Sequence, residues 1–301
     1  MNTTKTKSVV LITGAGGQLG ASMTRLLANE PVFDIISLDY SKLDITHSTE
    51  VEKVFERHQF DWVINCAGYT NVDEAEKAFE KALEINAIAV GHLAYLCKDM
   101  KIPLIHFSSD YVYHNQHHRP LKETDPTTPQ SIYAQSKLSG EEIIREVLEE
   151  HLIFRTSWLY SVGGENFVNT MLHLGKQGKV LKIVNDQVGT PTLVDDIAEA
   201  VLSIIVAIRN KETGTHKIWG TYNISNQGET NWYAFAQEIF RLSGMTVACA
   251  AVDTKTYNAP ASRPLYSVLS NQKLKDIFGI ELRNWQSALK YCLQSGGYLK
   301  E

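Results

Sequence analysis

The sequence Gly14-Ala15-Gly16-Gly17-Gln18-Leu19-Gly20 decides the fold of this 301-residue chain. It follows a short apolar run at residues 8–13 and opens a helical pattern at residues 17–29. Residues without a Cβ let the backbone bend tightly and approach a pyrophosphate, while the free N–H groups of the following helix face the negative charge. This placement between a strand and a helix predicts a dinucleotide site rather than a generic tight turn.

A carboxylate closes the second predicted strand. Asp39 comes 19 residues after Gly20, at a position where it can accept hydrogen bonds from an adenosine ribose. Its charge would repel a 2′-phosphate, so NADH is favoured, but Ser41 and Lys42 follow closely and leave NADPH open. The next acid, in Asp44-Ile45, can hold the adenine edge or simply begin a helix.

The first half of the chain alternates short apolar runs with helical patterns. The runs are nearly continuous, which is typical of strands covered on both faces, and strands separated by helices imply right-handed crossovers. The sequence therefore predicts an α/β fold built on a Rossmann-type, doubly wound parallel sheet. Predicted strands occupy residues 8–13, 33–39, 61–67, 103–108 and 152–156. Predicted helices occupy residues 17–29, 50–58, 73–99, 133–150 and 193–208.

After Trp158 the regular alternation of predicted strands and helices ends, and glycine and proline turns separate shorter elements. One helical stretch, residues 193–208, is apolar enough to rejoin the sheet. We therefore expect a dinucleotide-binding domain made of residues 1–160 and 193–225. A smaller, loop-rich α/β substrate domain would comprise residues 161–192 and 226–301, with a cleft between the two.

Composition excludes several classes of function. The net charge of -5 argues against nucleic acid as a partner, since binding phosphates requires a basic excess. The longest apolar runs have the length of strands, so no membrane partner is expected, and the polar start of the chain lacks a secretory hydrophobic region. The four cysteines are scattered without metal-ligand spacing, so neither a disulfide framework nor a metal site is expected. A cytoplasmic enzyme is the expectation.

Tyr133 and Lys137 lie four residues apart at the start of a predicted helix, which puts both side chains on one helix face. The preceding strand ends in Ser108-Ser109, at the edge where open α/β sheets bind ligands. Hydride addition to a ketone creates an alkoxide that must receive a proton. Tyr133 can donate that proton, Lys137 can stabilise the tyrosinate, and a serine hydroxyl can hold the carbonyl oxygen.

With these motifs the chain resembles the extended short-chain dehydrogenases/reductases, and among them the dTDP-4-dehydrorhamnose reductase family. The resemblance covers nearly the whole length. It implies reduction of the C4 ketone of dTDP-6-deoxy-L-lyxo-4-hexulose with NADPH or NADH, so a dTDP-sugar is the expected substrate partner. The motifs that carry it are Asn65-Cys66-Ala67-Gly68, residues 69–76, residues 108–113, residues 154–160, residues 185–192 and Arg263-Pro264.

The resemblance also implies roles for individual residues. Ser109, Tyr133 and Lys137 would be catalytic, with Ser109 at a position usually held by threonine. Asp110 and Trp158 would contact substrate together with Ser109, and Arg263 would bind the diphosphate unless it is only a surface charge. The cofactor would contact Gly14, Gly17, Gln18, Leu19, Gly20, Asp39, Asp44, Ile45, Ala67, Gly68, Tyr69, Thr70, Tyr133 and Lys137.

Some features leave alternatives open. The family commonly has an Asp-Gly turn after Tyr113, whereas this chain has three histidines within residues 114–118, which we interpret as a solvated loop rather than a metal site. Epimerases and dehydratases of nucleotide sugars share the scaffold, as do regulatory subunits of methionine adenosyltransferase. The dehydratases need a glutamate after the aspartate, where this chain has Tyr111. Enzymes of this size often dimerise through helices, but no feature of the sequence decides between a monomer and a homodimer.

Overall fold

The computed structural model describes residues 7–114, 118–212 and 218–300. Its centre is a six-stranded sheet in the order β10-β5-β4-β3-β1-β2, in which every neighbouring pair is parallel. The α/β doubly wound fold that the alternating pattern predicts is therefore confirmed. The sheet strands are β1 (Ser8–Thr13), β2 (Phe33–Leu38), β3 (Trp62–Asn65), β4 (Leu104–Ser109), β5 (His151–Thr156) and β10 (Gly220–Asn223).

Helices cover both faces of the sheet. On one face, α1 (Gln18–Ala28) and α8 (Val194–Arg209) bury residues such as Met23 and Ile197 against β1 and β10. On the other face, α2 (Ser48–Arg57), α5 (Ala89–Met100) and α6 (Ile132–Val147) pack on the opposite side chains of the same strands. This double cover explains why the strand sequences are continuously apolar instead of alternating.

The predicted helix at residues 73–99 is wrong as a single element. The chain forms α3 (Val72–Ala75), leaves helical geometry at Ala78, and continues as α4 (Phe79–Leu83), a π-helical turn at Glu84–Ile88 and then α5. Hydrophobic periodicity does not report such breaks, because each piece still places apolar residues on the sheet side. The π-turn buries Asn86 completely, and π-turns frequently occur at functional sites.

A second group of elements follows the sheet and has its own core. Three short two-stranded sheets pair β7 with β12, β8 with β11 and β6 with β9. The core is built mainly from α7, α9 and α12, with Phe235, Trp285 and Leu289 fully or almost fully buried. The elements are β6 (Leu159–Tyr160), α7 (Phe167–Gly175), β7 (Leu181–Val184), β8 (Val188–Gly189), β9 (Thr192–Leu193), β11 (Thr230–Asn231), α9 (Trp232–Leu242), β12 (Cys249–Val252), α10 (Thr254–Tyr257) and α12 (Trp285–Ser295). Helix α11 (Gln272–Phe278) instead adds Leu274 to the core of the large sheet.

The chain leaves the large sheet after β5, forms α7 and four short strands, and then returns to the sheet with α8 and β10. The domain boundaries inferred from the sequence stay a prediction. Within the three described ranges, no helix is both long and apolar enough to cross a bilayer. In the predicted histidine-rich loop, residues 115–117 lie outside the described residues.

A buried ion pair joins helix α6 to strand β5. Glu141 and Arg155 are 0% and 3% exposed, and Glu141 accepts hydrogen bonds from Arg155 Nη2 at 2.6 Å and Nε at 2.9 Å. Glu141 also accepts one from the half-exposed Arg145 at 2.8 Å. A buried charge that keeps its partners is tolerated, whereas one that loses its partner is strongly unfavourable.

We therefore expect Glu141→Ala to lower the free energy of unfolding by about 3–5 kcal/mol, because Arg155 would stay buried without its carboxylate. Urea titration followed by circular dichroism measures the loss. Glu50→Ala is the control, since Glu50 pairs with Lys53 on an exposed helix surface, where removing one partner changes the free energy of unfolding little. If the free energy of unfolding falls equally in the two variants, burial does not make the Glu141–Arg155 pair more important than an exposed pair.

Candidate active site

The glycine turn between β1 and α1 is shaped by two close backbone approaches. Gly14 has a φ of +64°, and a Cβ built on it would lie 2.5 Å from the Ala67 nitrogen. A Cβ on Gly20 would lie 2.2 Å from the Gly14 carbonyl oxygen. Both positions therefore require glycine. Helix α1 begins after Gly17 with neither a capping side chain nor an acidic residue in its first turn.

Beyond the turn, a cavity extends along the end of β2. Asp39 follows β2, and its Oδ1 accepts hydrogen bonds from Ser41 Oγ at 2.6 Å and from the Ser41 and Lys42 N–H groups. These contacts, led by the Ser41 hydroxyl, lower the pKa of Asp39, so the carboxylate is ionised at neutral pH. Asp44 and the buried Ile45 line the same cavity.

A second cavity adjoins the first, and the volumes are ≈ 530 and ≈ 440 Å³. Gly17, Cys66, Ala67 and Gly68 line both, so the two form one continuous cleft across the carboxyl ends of β1, β3 and β4. The predicted residues that line this second part are Gly17, Gln18, Leu19, Ala67, Gly68, Thr70, Ser109, Asp110, Tyr133, Lys137 and Trp158.

The start of α6 places Tyr133 and Lys137 at this cleft. Ser131 caps the helix by accepting a hydrogen bond from the Ala134 N–H at 3.2 Å. One turn then separates the phenol from the amine, and both side chains line the cavity that receives Ser109 from the end of β4. The structure therefore brings together the three residues that the sequence proposed as catalytic.

The Tyr133 phenol is protonated over the whole neutral range. Burial raises its pKa to about 12, although a hydrogen bond with Ser109 opposes that rise. Ser109 Oγ in turn donates to Asp110 Oδ1 at 3.0 Å and accepts from the Tyr111 N–H at 3.2 Å. The Tyr111 ring meets the Tyr133 ring edge-on, with centroids 6.1 Å apart. These contacts fix the phenol beside a hydroxyl at the cleft.

Asp110 is an unusual carboxyl group for a ligand-binding cleft. The residue is 2% exposed, and burial raises its pKa to about 7 even though hydrogen bonds with Ser267 and Ser109 oppose the rise. Its Oδ2 has no hydrogen-bond partner among the described residues. An unpartnered buried oxygen on the cavity wall is available to a ligand hydroxyl, and it accords with the predicted substrate contact.

Lys137 is buried, and its contacts include residues that sequence reasoning missed. Its Nζ lies 3.4 Å from His106 Nε2, and His106 Nδ1 lies 3.1 Å from Asn65 Nδ2. Burial lowers the pKa of Lys137 to about 8, while Glu141 and Cys66 oppose the fall. Asn65 lies in the Asn65-Cys66-Ala67-Gly68 motif, which assigned it no role, and His106 belongs to none of the predicted site residues. Only the register of the strands reveals that the two side chains meet.

Asn86 in the π-turn was also missed. Its Oδ1 accepts from the Tyr69 N–H at 2.9 Å, and its Nδ2 donates to the Tyr69 carbonyl and to Ser136 Oγ. Asn86 thereby ties the loop after β3 to the helix bearing Lys137. Predicted residues Tyr69 and Gly20 are absent from the cavity lining within the described ranges, and both act through their backbone instead.

Trp158 forms the far wall of the cleft. It has a φ of +47°, an uncommon conformation for a residue with a side chain. Its ring stacks on Trp232 with centroids 3.6 Å apart and an interplanar angle of 9°. A Cβ on Gly189 would lie 2.6 Å from the Trp158 ring, so a glycine is required beneath it. Trp232, which sequence reasoning missed, lines the same cavity.

Arg263 is placed differently from the sequence expectation. Instead of presenting free N–H groups to the cleft, it forms a bidentate pair with Asp73 at 2.8 and 2.9 Å, and only 19% of its side chain is exposed. It is also close to Tyr111, whose phenol it influences. Diphosphate binding by Arg263 stays a prediction, and in this structure each of its terminal nitrogens donates one hydrogen bond to Asp73.

The cleft fits a nicotinamide dinucleotide. A phosphate can approach the glycine turn because no Cβ projects from it, and the uncapped N-terminus of α1 offers N–H donors. An ionised carboxylate stands at the far end of the first cavity, at Asp39. The open face of Gly68 lies beside Lys137, since a Cβ there would be 3.7 Å from Nζ. These groups match a pyrophosphate, an adenosine ribose and a second ribose in that order.

Known proteins place the chain in one family. The model of the RmlD substrate binding domain family matches residues 8–297. A Bacillus subtilis spore coat polysaccharide biosynthesis protein, SpsK, is 39% identical over 285 residues, which cover 95% of this chain and 96% of SpsK. A dTDP-4-dehydrorhamnose reductase from Burkholderia thailandensis is 37% identical, with 95% and 98% covered.

A solved structure agrees with these relatives. The dTDP-4-dehydrorhamnose reductase of Bacillus anthracis, in complex with NADP, superposes with a TM-score of 0.89 at 35% identity and covers 96% of this chain and 99% of its own. Both the matched length and the identity are sufficient to assign a family rather than a fold alone. The chain therefore belongs to the RmlD family of dTDP-4-dehydrorhamnose reductases, which are NAD(P)H-dependent oxidoreductases.

Proposed function

We propose that this protein reduces the C4 ketone of dTDP-6-deoxy-L-lyxo-4-hexulose to dTDP-L-rhamnose with NADPH or NADH. One observation supports the proposal above the others. A phenol, an amine and a hydroxyl, from Tyr133, Lys137 and Ser109, line a cavity that is continuous with the cavity at the glycine turn. A ketone in this second cavity can thus meet a proton donor beside a dinucleotide held at the glycine turn.

The glycine turn, Asp39 and Lys137 are the groups proposed to hold the cofactor. The N–H groups at the start of α1 face the pyrophosphate, Asp39 accepts from the adenosine ribose, and Lys137 binds the second ribose. When bound, the reduced nicotinamide supplies a hydride. The apolar residues at this edge, including the buried Ile45, exclude water from one side of the adenine position.

Proton delivery is the role proposed for Tyr133. Its raised pKa keeps the phenol protonated at the working pH, so it can donate to the oxygen that becomes negative as the ketone is reduced. Ser109 lies beside the phenol. Its single hydroxyl proton is directed at Asp110 Oδ1 in this structure, and it would turn to the carbonyl oxygen when the ketone binds. Asp110, next to Ser109, and Trp158, on the far wall, then contact the sugar, and Trp158 offers it an aromatic surface.

The function is tested by incubating the protein with the 4-keto sugar nucleotide and each cofactor. Cofactor absorbance should fall, and dTDP-L-rhamnose should accumulate in proportion to the cofactor consumed. Folded protein that oxidises neither cofactor, or that forms a different sugar, would refute the proposal. Release of a 4-keto product from dTDP-glucose would point instead to a dehydratase.

Tyr133→Phe should lower kcat by about 10²–10⁴-fold, because the ring stays in place while the proton donor is removed. Cofactor affinity, measured by fluorescence titration, should change little. Tyr95→Phe is the control, since Tyr95 lies 54% exposed on α5 and should keep parental turnover. Near-parental turnover in Tyr133→Phe would show that another group delivers the proton.

Asp39→Asn should raise the ratio of kcat/KM for NADPH to that for NADH by about tenfold, because removing the charge ends the repulsion of a 2′-phosphate. Steady-state kinetics with both cofactors measure the ratio. Asp34→Asn is the matched control, because Asp34 lies on the same strand but pairs with Lys7 away from the cleft. A ratio that moves equally in both variants would mean that Asp39 does not select the cofactor.

A further inference from the structure

A polar row crosses the carboxyl end of the sheet. The strand register pairs Thr13 of β1 with Asn65 of β3, and Asn65 with His106 of β4. All three are at most 1% exposed. Side chains in register on adjacent parallel strands share a face, and this row ends at Lys137, which α6 lays against β4. The row therefore links the glycine-turn strand to the buried amine of the active site.

The orientation of the Asn65 amide is fixed by two donors. Its Oδ1 accepts from Thr13 Oγ at 2.6 Å and from the Ala67 N–H at 3.1 Å. A backbone N–H can only donate, so the oxygen of Asn65 must face Ala67. The amide nitrogen of Asn65 consequently faces His106 Nδ1, to which it donates at 3.1 Å.

This donation determines the tautomer of His106. Burial, together with the nearby Lys137, holds the pKa of His106 well below its ordinary value, so the ring is neutral and carries one proton. Because Nδ1 accepts from Asn65, that proton must be on Nε2. Nε2 is the atom that lies 3.4 Å from Lys137 Nζ. An ammonium has three donors and no lone pair, whereas an uncharged amine can accept.

We propose that His106 is a positioning residue that is locked as an Nε2–H donor toward Lys137 and thereby favours the uncharged amine over the ammonium. Its significance for catalysis rests on the proposed function. After Tyr133 gives its proton to the sugar oxygen, the tyrosinate must be reprotonated, and the Lys137 ammonium can release the replacement proton. The amine that results is stabilised by His106 until it takes a proton from solvent, so charge and protons balance.

Other groups facing Lys137 act in the opposite sense. Glu141, on the same helix, attracts the ammonium, but three hydrogen bonds from Arg155 and one from Arg145 already satisfy its oxygens. Cys66, from the loop after β3, is half-buried, and loss of hydration raises the pKa of its thiol, so the thiol carries no charge at neutral pH. His106 is thus the neighbour of Lys137 whose tautomer is set by a hydrogen bond from Asn65.

The tautomer can be observed directly in the protein without ligands. Long-range ¹H–¹⁵N correlation spectra of ¹⁵N-histidine-labelled protein distinguish a protonated Nε2 from a protonated Nδ1. We expect the His106 signal, identified by its loss in His106→Gln or His106→Leu, to show a protonated Nε2 that does not change between about pH 6 and 9. A protonated Nδ1, or a ring that titrates in this range, would overturn the proposal.

The effect on Lys137 is measured by ¹³C-lysine labelling, with the Lys137 signal identified by its loss in Lys137→Met. Removing the donor in His106→Ala or His106→Leu should raise the midpoint of the Lys137 titration by about one pH unit. Leucine removes the donor but fills the site, so water does not enter. A rise of the Lys137 midpoint in both variants is therefore due to the lost hydrogen bond and not to hydration. His151→Asn changes a similarly buried histidine at the far end of β5 and should leave the midpoint unchanged.

An unchanged midpoint in folded His106→Leu would refute the proposal, whatever the substrate is. In the loaded enzyme the alkaline limb of the kcat profile should move upward by the same shift. If the protein reduces no 4-keto sugar, the proposed function fails while both spectra still decide the role of His106. If it reduces the sugar but Nδ1 is protonated, only the inference about His106 fails.

Discussion

The close approach of three backbone segments at Gly14 is the constraint on which the active site depends. Strand β1, helix α1 and the loop after β3 come so near one another that a Cβ on Gly14 or Gly20 would overlap backbone atoms. That proximity leaves the N-terminus of α1 uncovered, and it places Ala67 where its N–H orients Asn65. Phosphate binding and the polar row leading to Lys137 therefore share one geometric origin.

Burial has opposite consequences for the charged groups at this end of the sheet. Glu141 and Arg155 are both charged, because hydrogen bonds from Nε and Nη2 of Arg155 hold the carboxylate of Glu141 against the guanidinium. Asp110 and Lys137 lack such complete pairing, and burial moves both of their pKa values toward neutrality. Incomplete pairing destabilises a folded chain, but it provides groups that exchange protons near physiological pH. The Glu141–Arg155 pair stabilises helix α6, which also carries Lys137.

The sequence allowed the sheet, the glycine turn and the Tyr133–Lys137 pair to be predicted, because each depends on spacing within one segment. The break at Ala78 and the π-turn around Asn86 were not predicted, since apolar periodicity continues through both. His106 and Trp232 were missed for another reason. They become part of the site only through strand register and through stacking between distant segments. Similarly, the pairing of Arg263 with Asp73 depends on a contact 190 positions apart, which no local pattern reports.

The stacked indoles of Trp158 and Trp232 have a consequence for spectroscopy. Two nearly parallel rings at 3.6 Å are close enough for their electronic transitions to couple, and the left-handed backbone of Trp158 holds one ring rigidly against the other. Because the pair lines the cleft, any molecule that enters it perturbs the coupled transitions. Circular dichroism of the Trp158–Trp232 pair can therefore follow ligand binding in the cleft without an added label.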